Sequence, residues 1–137
     1  MLTIEVVLRH GRYEAGVGGA GHAAPEWPPH PARVFMALVA SAESESDYEA
    51  LQWLEQRPPP EVHACGLTDA REIVERRFVV TNDTKSQGGG NLANPGRTNG
   101  VRIRTGVFLA DPAFAFVWPD ASPPDDVRAS LERLARA

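Results

Sequence analysis

Apolar and polar residues alternate from position 2 to position 9, which is the pattern of a strand with one buried face. Apolar residues occupy positions 2, 4, 6 and 8, and Val7 is the one break in the alternation. Further along, apolar side chains at positions 34, 35, 38, 39 and 42 form one stripe on a helix. This helix is predicted over residues 31–42, because proline is tolerated at the first helical position.

Two further helices are predicted from their boundary signals. The first covers residues 46–57 and ends at the three prolines 58–60, since proline cannot continue a helix. The second runs toward the end of the chain, with Ser122 as the predicted N-cap and Pro123 at the first helical position.

The strands of the second half differ in their patterning. A brief strand is predicted at 61–65, and alternating segments at 73–81 and 101–109 predict a long β-hairpin. The Gly- and Asn-rich residues 82–100 form the tip of this hairpin. Residues 113–118 are almost wholly apolar, which indicates a central strand buried on both faces.

Without the hairpin, the elements follow the order strand, helices, strand, strand, helix. This order predicts an α+β protein with a ferredoxin-like (RRM-like) fold, an inserted β-hairpin and no final strand. The missing strand suggests the N-terminal part of a longer protein. At 137 residues the chain is predicted to be a single domain, 1–137, with mobile loops at about 10–25 and 82–100.

The composition argues against a metal site, a nucleotide cofactor and a membrane segment. Cys65 is the only cysteine, and the four histidines lack the spacing of a zinc site, so no metal is expected. The Gly-rich segments 16–21 and 88–90 lack the context of a nucleotide-binding loop, so no cofactor is expected. Neither a signal peptide nor a membrane span is evident, and we expect a cytoplasmic protein that does not contact membranes.

Charge is unevenly distributed along the chain. The net charge is −4, but residues 84–110 contain four basic residues and no acidic one. Arg102 and Arg104 are two positions apart on a predicted strand, so their side chains leave the same face. This insertion is therefore a candidate for contacts with RNA phosphates, and the alternative is a solvated strand face. Its basic residues are Lys85, Arg97, Arg102 and Arg104.

The proline-rich run 26–35 leads into the first helix and places His30 and Arg33 at the helix N-terminus. The N-terminus of a helix favours the binding of anions, and the Arg33 guanidinium can donate two hydrogen bonds to one phosphate. The alternative interpretation is structural, with Trp27 and Phe35 in the core and His30 as the helix cap. Both interpretations follow from the residues alone.

Several segments resemble one known family. They are the strand at 2–8, the sequence Glu-Trp-Pro-Pro-His-Pro-Ala-Arg at 26–33, Leu-Gln-Trp-Leu at 51–54 and Val-Trp-Pro-Asp at 117–120. Together they resemble the N-terminal part of a CRISPR-associated RAMP-superfamily subunit of type I-U (I-G) systems. In that family a Cas-five-like half is fused to a Cas-six-like half. The tip at 82–100 is less arginine-rich than is expected for the family.

The resemblance implies a guide-RNA (crRNA) binding subunit of a Cascade-type effector complex in antiviral defence. The RNA-binding residues would then be His30, Arg33 and the basic residues of the insertion, and the acidic remainder would face other CRISPR effector subunits. One alternative is a metal-independent endoribonuclease that processes CRISPR repeat RNA, with His10 or His22 as its catalytic residue. Another is a small protein-interaction module that does not bind RNA.

Overall fold

A computed structural model describes residues 1–17, 24–81, 90–91 and 94–136 of the chain. Within these residues the helices are α1 (Pro31–Ala40), α2 (Glu45–Glu55) and α3 (Asp125–Leu134), and a short 3-10 helix covers Leu67–Asp69. The strands are β1 (Leu2–Val7), β2 (Arg12–Tyr13), β3 (Gly16–Val17), β4 (Ala24–Pro25), β5 (Glu61–His63), β6 (Ala70–Thr81), β7 (Gly90–Asn91), β8 (Asn94–Leu109) and β9 (Ala113–Trp118).

The core is built on an antiparallel sheet in which β9 lies between β1 and β5. Leu2 pairs with Trp118 and Ile4 with Phe116, so these apolar side chains share one face of the sheet. Phe116 is fully buried at the centre of the core. The side chains of β9 alternate between buried and half-buried, so the prediction of a strand buried on both faces was wrong. Buried residues of the three helices pack against the face that carries Phe114, Phe116 and Trp118.

Local capping explains where the helices begin. α2 starts earlier than predicted because the Ser44 side chain accepts a hydrogen bond from the backbone N–H of Asp47. The Asp47 carboxylate accepts in return from the Ser44 backbone N–H, which completes a capping box. At α3 the predicted N-cap Ser122 was wrong. Pro124 occupies the cap position without a side-chain hydrogen bond, and its extended backbone delays the helix to Asp125.

α2 and α3 are joined by an ion pair between Asp47 and Arg133. Asp47 is almost completely buried. Hydrogen bonds from Ser44, and then from the Glu43 backbone and Arg133, lower the pKa of this carboxyl, so it stays ionised. The two helices thus close over the sheet with their buried polar groups paired.

The predicted long hairpin is confirmed. β6 pairs antiparallel with β8 from Ala70 opposite Leu109 to Thr81 opposite Thr98. β2 pairs with the other edge of β8, where a side chain at Gly106 would lie 2.5 Å from the Tyr13 carbonyl oxygen. Only glycine allows the two backbones to approach this closely.

The architecture is the predicted α+β fold, compatible with a ferredoxin-like domain. The sheet order β1-β9-β5 corresponds to the first three strands of that fold, and in the described residues no fourth strand pairs with β1. Part of the segment predicted as a loop at 10–25 forms β2, β3 and β4, while residues 18–23 lie outside the described part. Of the predicted tip at 82–100, residues 82–89 and 92–93 also lie outside it, and the rest is strand.

Candidate nucleic-acid interface

The approach to α1 is organised by a paired carboxylate. Both oxygens of Glu26 accept hydrogen bonds from the Arg33 guanidinium, from Nε and from Nη2, each at 2.7 Å. The backbone N–H of His30 donates to the same carboxylate at 3.0 Å, and the Tyr13 hydroxyl donates to it at 3.4 Å. Two Arg33 nitrogens that could donate hydrogen bonds to a phosphate therefore already donate to Glu26.

The electrostatics of this cluster agree with its geometry. The Glu26 side chain is only 15% exposed. The hydrogen bonds from Arg33, reinforced by the one from the His30 backbone, lower the pKa of Glu26 to about 2. Burial raises the pKa of Tyr13 to about 12, so its hydroxyl remains a donor. The cluster is a closed ion pair that ties the chain before α1 to its first turn.

His30 and Trp27 have structural contacts in the same region. His30 is the N-cap of α1, and its Nδ1 accepts a hydrogen bond from the Ala32 backbone N–H at 3.2 Å. Trp27 donates from its indole nitrogen to the Cys65 carbonyl at 2.9 Å and packs edge-on against Phe114. The structural interpretation of this run therefore describes the contacts present. RNA binding by His30 and Arg33 stays a prediction.

The β6–β8 hairpin has two chemically different faces. Side chains alternate along each strand, and residues opposite each other on neighbouring strands point to the same side. Arg102 is opposite Arg77, Arg104 is opposite Glu75, and Phe108 lies between Arg71 on β6 and Arg12 on β2. One face, called the cationic face below, carries the arginines 12, 71, 77, 102 and 104 together with Phe108.

Two carboxylates share the cationic face with these arginines. Arg12 bonds to Glu75 at 2.6 Å and to Glu14 at 2.8 Å, and Arg77 bonds to Glu75 at 2.9 Å. The hydrogen bond from Arg12, followed by that from Arg77, lowers the pKa of Glu75. Arg104 reaches Glu14 only at 3.9 Å. Five arginines against two glutamates leave the face with a formal charge of +3.

Not all of these arginines are paired. Among the residues whose side chains are described, Arg71 and Arg102 form no salt bridge. Arg77 and Arg104 are paired but remain 51% and 58% exposed. Guanidinium groups of this kind can bind phosphate oxygens with two parallel hydrogen bonds, so the face has the chemistry of a phosphate-binding surface.

The opposite side of the hairpin, called the apolar face below, carries mainly hydrophobic side chains. Val74, Phe78 and Val101 are more than half exposed, at 56%, 69% and 53%. Arg76 and Glu72 lie on the same side by the alternation of the strand. Exposed apolar clusters on a soluble domain commonly mark contacts with other macromolecules.

The structure places the predicted site residues in different regions. Arg102 and Arg104 lie together on the cationic face, and the backbone of Arg97 belongs to β8. Lys85 and His22 lie outside the described residues. His10 is exposed in the turn between β1 and β2, next to the cationic face but far along the chain from His30.

Sequence reasoning missed three arginines of the cationic face. Arg71 and Arg77 belong to β6, where two glutamates interrupt them and hide any run of positive charge. Their alternation with Val74 and Phe78 was the available signal, since it separates the strand into a charged and an apolar side. Arg12 carried no such signal, because a two-residue strand has no readable period.

Fold and surface together define a ferredoxin-like α+β protein with a cationic hairpin on an acidic body. The family model of the CRISPR-associated protein, GSU0054 family, matches residues 17–134. Because this match covers most of the sequence, the chain belongs to the GSU0054 family of CRISPR-associated proteins. The predicted association with CRISPR defence is thereby confirmed.

The family assignment rests on the family model. The comparisons with curated proteins and with solved structures found no match to the chain. In the part of the chain that the structure describes, no helix has the length and apolar character needed to cross a membrane.

Proposed function

We propose that this chain is a guide-RNA-binding subunit of a type I CRISPR effector complex and that it holds the RNA backbone on the cationic face. The observation that carries the proposal is the concentration of five arginines on one side of the sheet formed by β2 and the hairpin, in a chain whose net charge is −4. Family membership supports a role in CRISPR defence. The run at 26–33 and the ferredoxin-like core support the narrower assignment to a RAMP-superfamily subunit of type I-U (I-G) systems.

The proposed mechanism is capture of successive phosphates by arginines on a stiff two-stranded support. Arg102 and Arg104 are two residues apart on β8, so their side chains leave the strand about 7 Å from each other. Arg77 lies directly across from Arg102 on β6. These three guanidinium groups would thus bind neighbouring phosphates of one RNA strand. RNA binding by Arg33 stays a separate prediction, because Glu26 already accepts hydrogen bonds from two of its nitrogens.

We also propose that other CRISPR effector subunits contact the apolar face. The two faces of one hairpin would then separate two kinds of partner, with RNA on the charged side and protein on the hydrophobic side. Support comes from the exposure of Val74, Phe78 and Val101, whose burial would remove apolar surface from water.

The test is the salt dependence of RNA binding by charge variants. The probe is a fluorescein-labelled 12-nucleotide oligouridine, and its anisotropy is followed with the full 137-residue chain from 50 to 300 mM NaCl. Arg102→Gln with Arg104→Gln should weaken binding about ten-fold or more at low salt. The slope of log affinity against log salt should become shallower by about 0.7 for each phosphate that the variant no longer neutralises.

The matched control removes the same charge elsewhere. Arg128 on α3 and Arg136 just after it are both exposed, and changing both to Gln alters the net charge equally. This control should bind RNA like the wild type. Equal losses in the two variants would show a general charge effect, and an absence of binding by the wild type would refute the proposal.

A further inference from the structure

Phe108 is a large exposed aromatic side chain among the arginines of the cationic face. It lies on β8 between Arg12 of β2 and Arg71 of β6, so the three side chains form one row across the sheet. The residue is 48% exposed, whereas its neighbours Val107 and Leu109 are buried on the other side of the strand. The alternation of the strand therefore holds the Phe108 ring outward, away from the core.

The turn after β1 supports this ring from one side. Gly11 has a positive φ of 61°, and a side chain there would lie 3.6 Å from Cζ of Phe108. The Gly11 carbonyl accepts a hydrogen bond from the Leu109 backbone N–H at 2.8 Å, which fixes the turn against β8. The ring thus lies against the backbone of this turn, and 48% of the residue remains exposed to solvent.

The arginines on either side of the ring differ in their availability to a phosphate. Arg12 is fixed by its bonds to Glu14 and Glu75, and Arg71 is exposed. An aromatic ring flanked by cationic groups on a sheet matches the chemistry of surfaces that bind single-stranded nucleic acid, in which bases stack on rings and arginines hold the backbone. In a duplex the base faces are already stacked on each other and are not available to a ring on a sheet.

We propose that Phe108 stacks on an unpaired RNA base, so that the cationic face selects single-stranded over double-stranded RNA. This inference rests on the proposed RNA-binding function and adds a base-contacting residue to the phosphate contacts of the arginines. Stacking of this kind tolerates any base, because every base offers a π-face. Phe108 therefore gives the surface a preference for unpaired RNA without a preference for sequence.

The experiment compares base-containing and abasic RNA. The 137-residue chain is titrated into labelled 12-nucleotide oligouridine and into an abasic ribose-phosphate oligomer of equal length and charge. Phe108→Ala should bind oligouridine about ten-fold more weakly than the wild type, with no change in its affinity for the abasic oligomer. A 12-base-pair RNA duplex should bind both proteins with equal affinity.

Phe78→Ala is the matched control, because Phe78 is an exposed phenylalanine on the other face of the same hairpin. It should leave all three affinities unchanged. Phe108→Leu keeps an apolar side chain against Gly11 without a ring, so it should reproduce the loss seen with alanine. Phe108→Tyr should bind like the wild type, and thermal unfolding of each variant reports whether the fold is retained.

The outcomes separate this inference from the proposed function. If the wild type binds oligouridine with a steep salt dependence but Phe108→Ala and Phe108→Leu bind equally well, stacking is refuted and phosphate binding stands. The same holds if the loss extends equally to the abasic oligomer, or if Phe78→Ala reproduces it. If the wild type binds none of the three probes, both proposals fail.

Discussion

Arginine residues in two regions of this molecule, the start of α1 and the cationic face, differ in how far carboxylates neutralise them. In the first turn of α1, Arg33 is held by Glu26 through two hydrogen bonds of 2.7 Å to a carboxylate that is 15% exposed. On the cationic face, five arginines share two carboxylates, so positive charge remains. An arginine is thus available to an external phosphate according to the carboxylates that reach it in three dimensions.

The difference also concerns what each carboxylate stabilises. Glu26 collects hydrogen bonds from one side chain of the helix, one backbone N–H and Tyr13, so it ties several segments of the core together. Glu75 bridges Arg12 and Arg77 within the exposed sheet. Glu26 stabilises contacts between segments of the fold, whereas Glu75 sets the spacing of arginines on a surface. The same substitution in both places therefore tests the comparison.

We expect the largest effect from Glu26→Gln, and we expect it on stability. The amide keeps the volume of the side chain but loses the charge that Arg33 requires. The free energy of unfolding in urea should fall by about 1–3 kcal/mol, the usual contribution of hydrogen bonds to a charged group. RNA affinity should change less than two-fold. A clear gain in affinity would instead show that Arg33, once released, binds phosphate.

Acid should reveal the same ion pair in the wild type. The pKa of Glu26 is lowered to about 2 in the folded chain, against an ordinary value of 4.5. Its contribution to stability is therefore complete above about pH 4.5 and is lost as the pH falls through about 2. Urea unfolding at pH 7, 5 and 3 should show a decline that begins below pH 5.

Glu26→Gln is the control for this pH dependence. The variant should lose less stability than the wild type between pH 5 and pH 3, while Asp47 and Glu75, whose pKa values are also lowered, still contribute to the decline. Parallel declines in the two proteins would mean that the Glu26–Arg33 pair contributes nothing to folding.

The smallest expected effect is that of Glu75→Gln, and it has the opposite direction. Removing this charge raises the formal charge of the cationic face from +3 to +4 and frees Arg77 from its partner. Affinity for oligouridine at 50 mM NaCl should rise about two- to five-fold, and the salt slope should become steeper. Stability should fall less than in Glu26→Gln, because the Glu75 side chain is 31% exposed against 15% for Glu26. Weaker RNA binding would indicate that Glu75 orients the arginines more than it neutralises them.

Much of the fold could be predicted from periodicity. The alternation at the N-terminus, the apolar run at 113–118 and the hairpin all correspond to strands at nearly the predicted positions. The errors have local causes. α3 begins at Asp125 because Pro124 keeps the backbone extended, and β9 is half-buried on one side because the helices pack on the other. Neither cause is visible in the spacing of apolar residues.

The candidate site was predictable only in part. Arg102 and Arg104 stand out because they alternate with Val101 and Ile103 in a segment without acidic residues. Arg71 and Arg77 join them through the pairing of β6 with β8, and Arg12 joins them through β2. These residues are 27 to 92 positions from Arg104 along the chain, and no local pattern sets the register that aligns them.

The order of the elements follows from local sequence patterns, because strand and helix periods are properties of short segments. The charged and the apolar side of the hairpin follow from them as well, since alternation along one strand is local. Which arginines are neutralised depends instead on contacts between segments that are formed in the folded chain. Glu26 and Arg33 are seven positions apart, and the turn between them brings the two into contact, whereas Arg102 is placed opposite another arginine. Electrostatic interactions depend on distance in space, and the fold sets that distance.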